Sequence, residues 1–209
     1  MIPLALAGLV LAFVWFGPLV ALAGHSFTAH MTMHVAVVAV AAPLLAMALV
    51  RATSEGLWLP RLLAGPVLAS IAEFLAVWGW HLPGPHLFAR TSLSGLLLEQ
   101  ASFLISAVWL WTAALARPTP AGDPGGVGVL ALLLTSMHMI LLGTLLTLAP
   151  RMLYHASHTG AVPVLDDLHA GGIIMLVGGG LPYLAGGLFL VWRLLGSAAG
   201  ANSRPASEA

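Results

Sequence analysis

Long apolar runs separated by short polar punctuation dominate this chain. At about 20 residues per crossing of a bilayer core, the pattern predicts spans at roughly 2–24, 29–50, 62–81, 93–116, 127–149 and 171–195. No stretch shows the roughly ten-residue alternation of a membrane β-barrel strand. The expected fold class is therefore all-α, an integral membrane bundle of about six transmembrane helices. The connections are short and rich in Pro, Gly and polar residues: "RATSEGLWLPR", "HLPGPHLFAR", "ARPTPAGDPGGV" and "APRMLYHASHTGAVPVLDDLH". One transmembrane helical domain is expected over 1–196, followed by a disordered cytoplasmic tail over 197–209. Ala21, Leu22 and Ala23 resemble a signal cleavage site, but "MIPLALAGLV" has no positive n-region. The first span is expected to remain as a helix.

Composition supports the membrane reading. Of 209 residues, 60% are hydrophobic and only 7% are charged, too few to cover a soluble surface. Formal net charge is zero, so the basic face that nucleic acid requires is missing. Cysteine is absent, which removes disulfides, thiolate metal sites and cysteine nucleophiles. Nine His and eight Met remain as soft or borderline metal ligands. Arg51, Arg61, Arg117, Arg193 and Arg204 fall on one side of the predicted spans, and Arg90 and Arg151 on the other. By the positive-inside rule, both termini are expected in the cytoplasm of a bacterial-type inner membrane. All the histidines except His138 then fall at or near the outer edge.

His30 and His34, in "HMTMH", are four residues apart. On a helix both imidazoles share one face about one turn apart, so one metal ion could be gripped by the pair; interfacial hydrogen bonding is the alternative. Met31 and Met33 flank them. Thioethers favour Cu(I), although Met is also a common packing filler. His138, in "SMHMILLG", lies about 11 residues, or roughly 16 Å, inside the outer end of its span. An ionisable group at that depth is costly and points to function, or to a neutral ring bonding another helix. Glu73 and Glu99 also lie inside spans, and Glu99 begins a polar stripe with Gln100, Ser102 and Ser106 that must face the bundle interior. Either carboxyl could carry a proton, balance a cation or tie helices together. Asp166 and Asp167 open the last span, where the helix dipole favours negative charge. The following Gly171, Gly172, Gly178, Gly179 and Gly180 allow close helix approach, which could bring Asp167 or His169 toward the His30–His34 helix. His81 follows the interfacial Trp78 and Trp80 and is a candidate third imidazole. His155 and His158 read as solvated loop residues. No catalytic triad order, phosphate loop, zinc-protease motif or dinucleotide fingerprint is present, and no enzyme is expected.

The segments "HMTMHVAVVAVAAPLL", "WGWHLPG", "LEQASFLISAVWLW", "HMILLGTLLTLAPRMLY" and "DLHAGGIIMLVGGGLPYL" occur in that order. Together they resemble the polytopic CtaG family, membrane proteins that assist assembly of haem–copper cytochrome c oxidases. The similarity covers roughly residues 25–195. It implies an assembly factor associated with copper insertion, working with oxidase subunits, the lipid bilayer and a copper chaperone. The family's characteristic polar positions match His30, His34, His81, Glu99, His138 and Asp167. Three positions depart from its pattern: Met33 stands where Gln is usual, Gln100 where His is frequent, and Asp167 is followed by Leu168 and His169 instead of two Gln. The expected metal set is accordingly His30, His34 and His138, completed or tuned by Asp167, His169, Glu99 or His81, with Cu(I) as the ion. A haem b electron carrier is the second reading, which needs two His at matching depth on facing helices. A metal-free oxidase scaffold or subunit is the third.

Overall fold

The computed structural model describes residues 1–53, 65–116, 125–154 and 164–202, with side chains to Gly196. Within these residues the chain is all-α, in eight continuous helices. They are α1 (Ile2–Phe16), α2 (Pro18–Ala23), α3 (residues 27–53), α4 (Pro66–Trp80), α5 (Pro83–Thr91), α6 (Leu93–Ala114), α7 (Gly125–Thr147) and α8 (residues 164–202).

Only four of them, Phe27–Ala52, Leu93–Ala114, Gly125–Thr147 and Val164–Gly196, are long and apolar enough to cross a membrane. This corrects the expectation of about six transmembrane helices. The other two apolar runs are interrupted by a Gly-Pro pair. Gly17 is extended and Pro18 opens a new helix, since proline disfavours helical geometry in the residue before it. The run read as 2–24 is therefore a helix of 15 residues followed by one of 6. Gly65 has φ 151°, a conformation open to glycine alone, and Pro66 starts α4. That helix has 15 residues, or about 22 Å at 1.5 Å per residue, short of the roughly 30 Å hydrocarbon core. The four long helices, with exposed apolar side chains such as Leu97, Ile105, Leu141 and Leu181 on their outer faces, make this a multi-pass membrane protein.

The long helices pack around a core that includes Met31, Val37, Phe103, Leu110, Leu132, Met139 and Tyr183. Helix α6 lies against α3, α4 and α5, and α7 against α4 and α8. Glycines set the α7–α8 distance: a Cβ on Gly143 would stand 2.6 Å from the Leu176 Cα. Helices α3 and α8 each contain a π-helical stretch, at Ala36–Ala41 and Met175–Gly179. In α3 the Ala42 N–H bonds to the Val37 carbonyl, five residues back, and so leaves the Val38 carbonyl without its ordinary helical donor. Trp111 Nε1 donates to that oxygen at 3.3 Å and the Tyr183 hydroxyl approaches it at 3.2 Å. Tyr183 also bonds the buried Glu73 carboxyl. The irregularity is thus a device for joining α3, α4, α6 and α8 deep in the bundle.

Three expectations fall outside the described residues: the side assigned to Arg61, Arg117 and Arg204, the solvated His155 and His158, and the terminal residues 203–209. Helix α8 itself continues to Asn202.

Candidate metal centre

At one end of the bundle four helices converge with histidines facing inward. Helix α3 begins at Ser26, whose hydroxyl accepts from the Ala29 N–H at 3.2 Å. The Asp167 carboxylate of α8 reinforces this start, accepting from the Ser26 hydroxyl (2.9 Å), the Phe27 N–H (2.6 Å) and the Thr28 N–H (3.1 Å). Negative charge is favoured there by the helix dipole. This cap orients the first turn of α3, so that His30 and then His34 enter the bundle with His30 1% and His34 0% exposed.

Helix α5 comes from the segment read as a connection. Pro83 occupies its first turn, where a missing N–H costs nothing. His86 and Arg90 follow one turn apart and both face the cluster. Helix α6 contributes Glu99, and His81 caps the end of α4. One ligand atom from each of His30, His86 and Glu99 lies within 4.8 Å of the others, an arrangement that could hold a metal ion. The His30 and His86 ring centres are 5.1 Å apart, His30 and His81 6.1 Å, and His34 and His81 5.7 Å.

The hydrogen-bond inventory of these rings is unusual. His81 Nδ1 lies 2.6 Å from the Val77 carbonyl. A carbonyl can only accept, so Nδ1 carries the proton and Nε2 presents a lone pair. That Nε2 has no partner among the described residues, nor do either nitrogen of His30 or His34, or Nδ1 of His86. Buried polar atoms are normally satisfied, so a concentration of orphaned imidazole nitrogens points to a ligand. Burial, with the hydrogen bond to Val77 opposing it and the Arg90 guanidinium adding to it, pushes His81 down to about 4. Burial first, then Arg90 and His81, push His86 down to about 3. Both rings are neutral near pH 7 and able to donate to a metal.

Glu99 divides its two oxygens. Oε2 pairs with Arg90 and accepts from the Gln100 amide at 3.3 Å. Oε1 has no hydrogen-bond partner among the described residues and faces His30 Nε2 at 3.8 Å. The ion pair leaves the centre close to neutral, and one carboxylate oxygen is available to a cation. A cavity of about 80 Å³ is lined by exposed His25 and Met152 together with the buried His30 and His86.

Of the residues singled out in the sequence, the fold brings together His30, His34, His81 and Glu99. His138 is buried in α7, edge-on to Phe74 at 5.3 Å, and is not part of the group formed by His30, His86 and Glu99. The Asp167 carboxylate is engaged by the start of α3, and His169 Nε2 donates to the Ala149 carbonyl at 3.0 Å. Met31 packs toward Gly171 of α8. Sequence reasoning passed over His86 and Arg90; their i, i+4 spacing behind Pro83 was the available signal.

The family described as cytochrome c oxidase caa3 assembly factor matches residues 4–197 of the chain. No curated protein matches. No solved structure matches.

Proposed function

Because the chain belongs to the cytochrome c oxidase caa3 assembly factor family, which comprises assembly factors and not enzymes, we propose that it holds copper for the oxidase at the histidine cluster. The ion is cargo, received and passed on. His30, His86 and the Oε1 atom of Glu99 form the holding site, and His81 offers a further nitrogen through Nε2. The observation that carries this reading is the convergence of one ligand atom each from the buried His30, His86 and Glu99 within 4.8 Å, with both nitrogens of His30, Nδ1 of His86 and Oε1 of Glu99 lacking a hydrogen-bond partner among the described residues. Side-chain shifts of about an ångström would bring them to the spacing that metal–nitrogen bonds of about 2 Å require.

Imidazole is a good ligand for copper, and the absence of cysteine removes the thiolate alternative. Neutral rings suit a monovalent ion: with Arg90 balancing Glu99, bound Cu(I) adds a single charge. The cavity at the cluster, about 80 Å³, fits an ion and not a haem macrocycle. The reading puts this end of the bundle on the outer side of a bacterial-type inner membrane, with Arg51 and Arg193 at the opposite ends of α3 and α8 on the cytoplasmic side. Oxidase subunits are the recipients and a copper chaperone the donor.

The test is made in cells. His30→Gln and His86→Gln, introduced together, should leave the protein in the membrane at its normal level while the oxidase purified from those cells is short of copper. A fully copper-loaded oxidase with the double variant as the sole copy would overturn the proposal.

A further inference from the structure

The end of the bundle away from the histidine cluster has a groove that copper holding does not use. Helices α3 and α8 run in the same direction, tied together at their starts by Phe27 and Asp167. Beyond their starts they part, and a groove of about 640 Å³ opens between their later halves. Its floor comes from α6. The Trp111 indole lies against Gly186 of α8, where an added Cβ would stand 2.7 Å from the ring, and its Nε1 is given to the Val38 carbonyl. The walls are apolar, with Met47 of α3, Leu115 after the end of α6 and the half-exposed Phe189 of α8. The groove runs from Ala39 to Arg51 on one side and from Pro182 to Arg193 on the other, roughly 17 Å in each case at 1.5 Å per residue. Both arginines thus stand at the same end of an otherwise apolar trough, and no carboxylate is among the described residues that line it.

Depth decides what this end meets. Arg51 lies about 24 residues beyond Phe27, and Arg193 about 26 beyond Asp167, roughly 36–39 Å along the helices. The hydrocarbon core is about 30 Å thick, so both guanidinium groups reach headgroup level while the trough behind them lies among acyl chains. We propose that the groove binds one anionic phospholipid of the bilayer, its phosphate between Arg51 and Arg193 and one acyl chain along the trough over Trp111. A guanidinium is always charged and presents five donors in a planar fork that matches phosphate oxygens, so each arginine can bind an oxyanion and keep other contacts. Basic pockets between membrane helices bind lipid headgroups in this way. Two cations with no carboxylate beside them favour a net-negative headgroup over a zwitterionic one, whose ammonium they repel. A free phosphate would leave the apolar trough unfilled, and a neutral lipid would leave the arginines unmatched. The bound lipid braces α3 against α8 at the end opposite the tie made by Asp167.

The test is native mass spectrometry of the full chain, delipidated in a neutral detergent and offered equimolar phosphatidylglycerol and phosphatidylcholine. The wild type should retain one phosphatidylglycerol, preferred at least tenfold. Arg51→Gln and Arg193→Gln together should bring that preference to within about twofold, whereas Arg151→Gln, at the other end of the bundle, should leave it unchanged. Ala185→Phe, which fills the trough, should lower phosphatidylglycerol retention at least fivefold with both arginines in place. All four substituted residues are exposed, and a cooperative unfolding transition near that of the wild type is checked first. Millimolar inorganic phosphate should not displace the lipid. Equal retention of the two lipids by the wild type, or a preference that survives in the double arginine variant, would overturn the proposal. So would displacement by inorganic phosphate, which would make the pair a simple oxyanion site. A lipid-free dimer broken by Ala185→Phe would also overturn it, because the groove would then belong to a second copy of the chain. None of these outcomes bears on the histidine cluster, so the proposed function stands or falls separately.

Discussion

The Asp167 carboxylate accepts a 2.6 Å hydrogen bond from the backbone N–H of Phe27, 140 residues away in sequence. This contact ties the start of α8 to the start of α3 and holds His30 in register three residues on. Asp167→Ala removes three acceptor contacts to Ser26, Phe27 and Thr28 together. Loss of a helix cap costs about 1–2 kcal/mol, and the thermal unfolding midpoint in detergent should fall accordingly. Copper binding should weaken in proportion and not disappear. Complete loss of copper with an unchanged midpoint would make Asp167 a ligand instead.

Arg90 and Glu99 make a different kind of prediction. Arg90→Gln strands a buried carboxylate, and breaking a buried pair costs roughly 3 kcal/mol or more. A bound cation would restore the balance. The metal-free variant should unfold at clearly lower temperature than wild type, and Cu(I) should raise its midpoint by more than it raises that of the wild type. Equal copper-induced shifts would show that the ion does not sit against Glu99.

Glycines at the α7–α8 contact should tolerate nothing larger. A Cβ on Gly143 would stand 2.6 Å from the Leu176 Cα, a backbone atom that can yield only if the helices part. Gly143→Ala should lower stability by about 1–3 kcal/mol, the usual cost of overpacking. Gly8→Ala is the control: nothing lies within 4 Å of the added carbon, and the change should be within about 0.5 kcal/mol. Unfolding in detergent measures both.

Orientation is open to direct labelling, because the chain has no cysteine of its own. Gly84→Cys, beside the histidine cluster, should react with a membrane-impermeant thiol reagent added to intact cells. Gly196→Cys, beyond Arg193 at the other end of α8, should react only after permeabilisation. The opposite pattern would put the metal centre on the cytoplasmic side.

How far the sequence reveals this architecture can be judged residue by residue. Four membrane helices follow from apolar length alone, and the i, i+4 spacing of His30 and His34 places both rings on one face of α3. Counting apolar residues does not register a Gly-Pro break, because Gly17, Pro18, Gly65 and Pro66 are as compatible with a hydropathy window as any small residue. Two apparent spans therefore became shorter helices. His86 and Arg90 were obscured because Pro83 and Pro85 read as punctuation, whereas Pro83 starts a helix. The π-helical stretches carry no local signature: "AVVAVA" is ordinary apolar sequence, and what makes its irregularity useful is the distant Trp111 and Tyr183. The engagement of Asp167 with Phe27 is likewise a tertiary fact, since the capping reading and the ligand reading of that residue are equivalent until α3 and α8 are side by side.

The most direct test of an imidazole-based copper centre is the copper K-edge X-ray absorption spectrum of the protein loaded with one equivalent of Cu(I). The expected result is a first shell of nitrogen and oxygen at about 2 Å, with the outer-shell scattering of imidazole, and its loss when His30 and His86 are both replaced by Gln. A first shell of sulfur at about 2.3 Å, which in this cysteine-free chain could come only from methionine, would contradict the account.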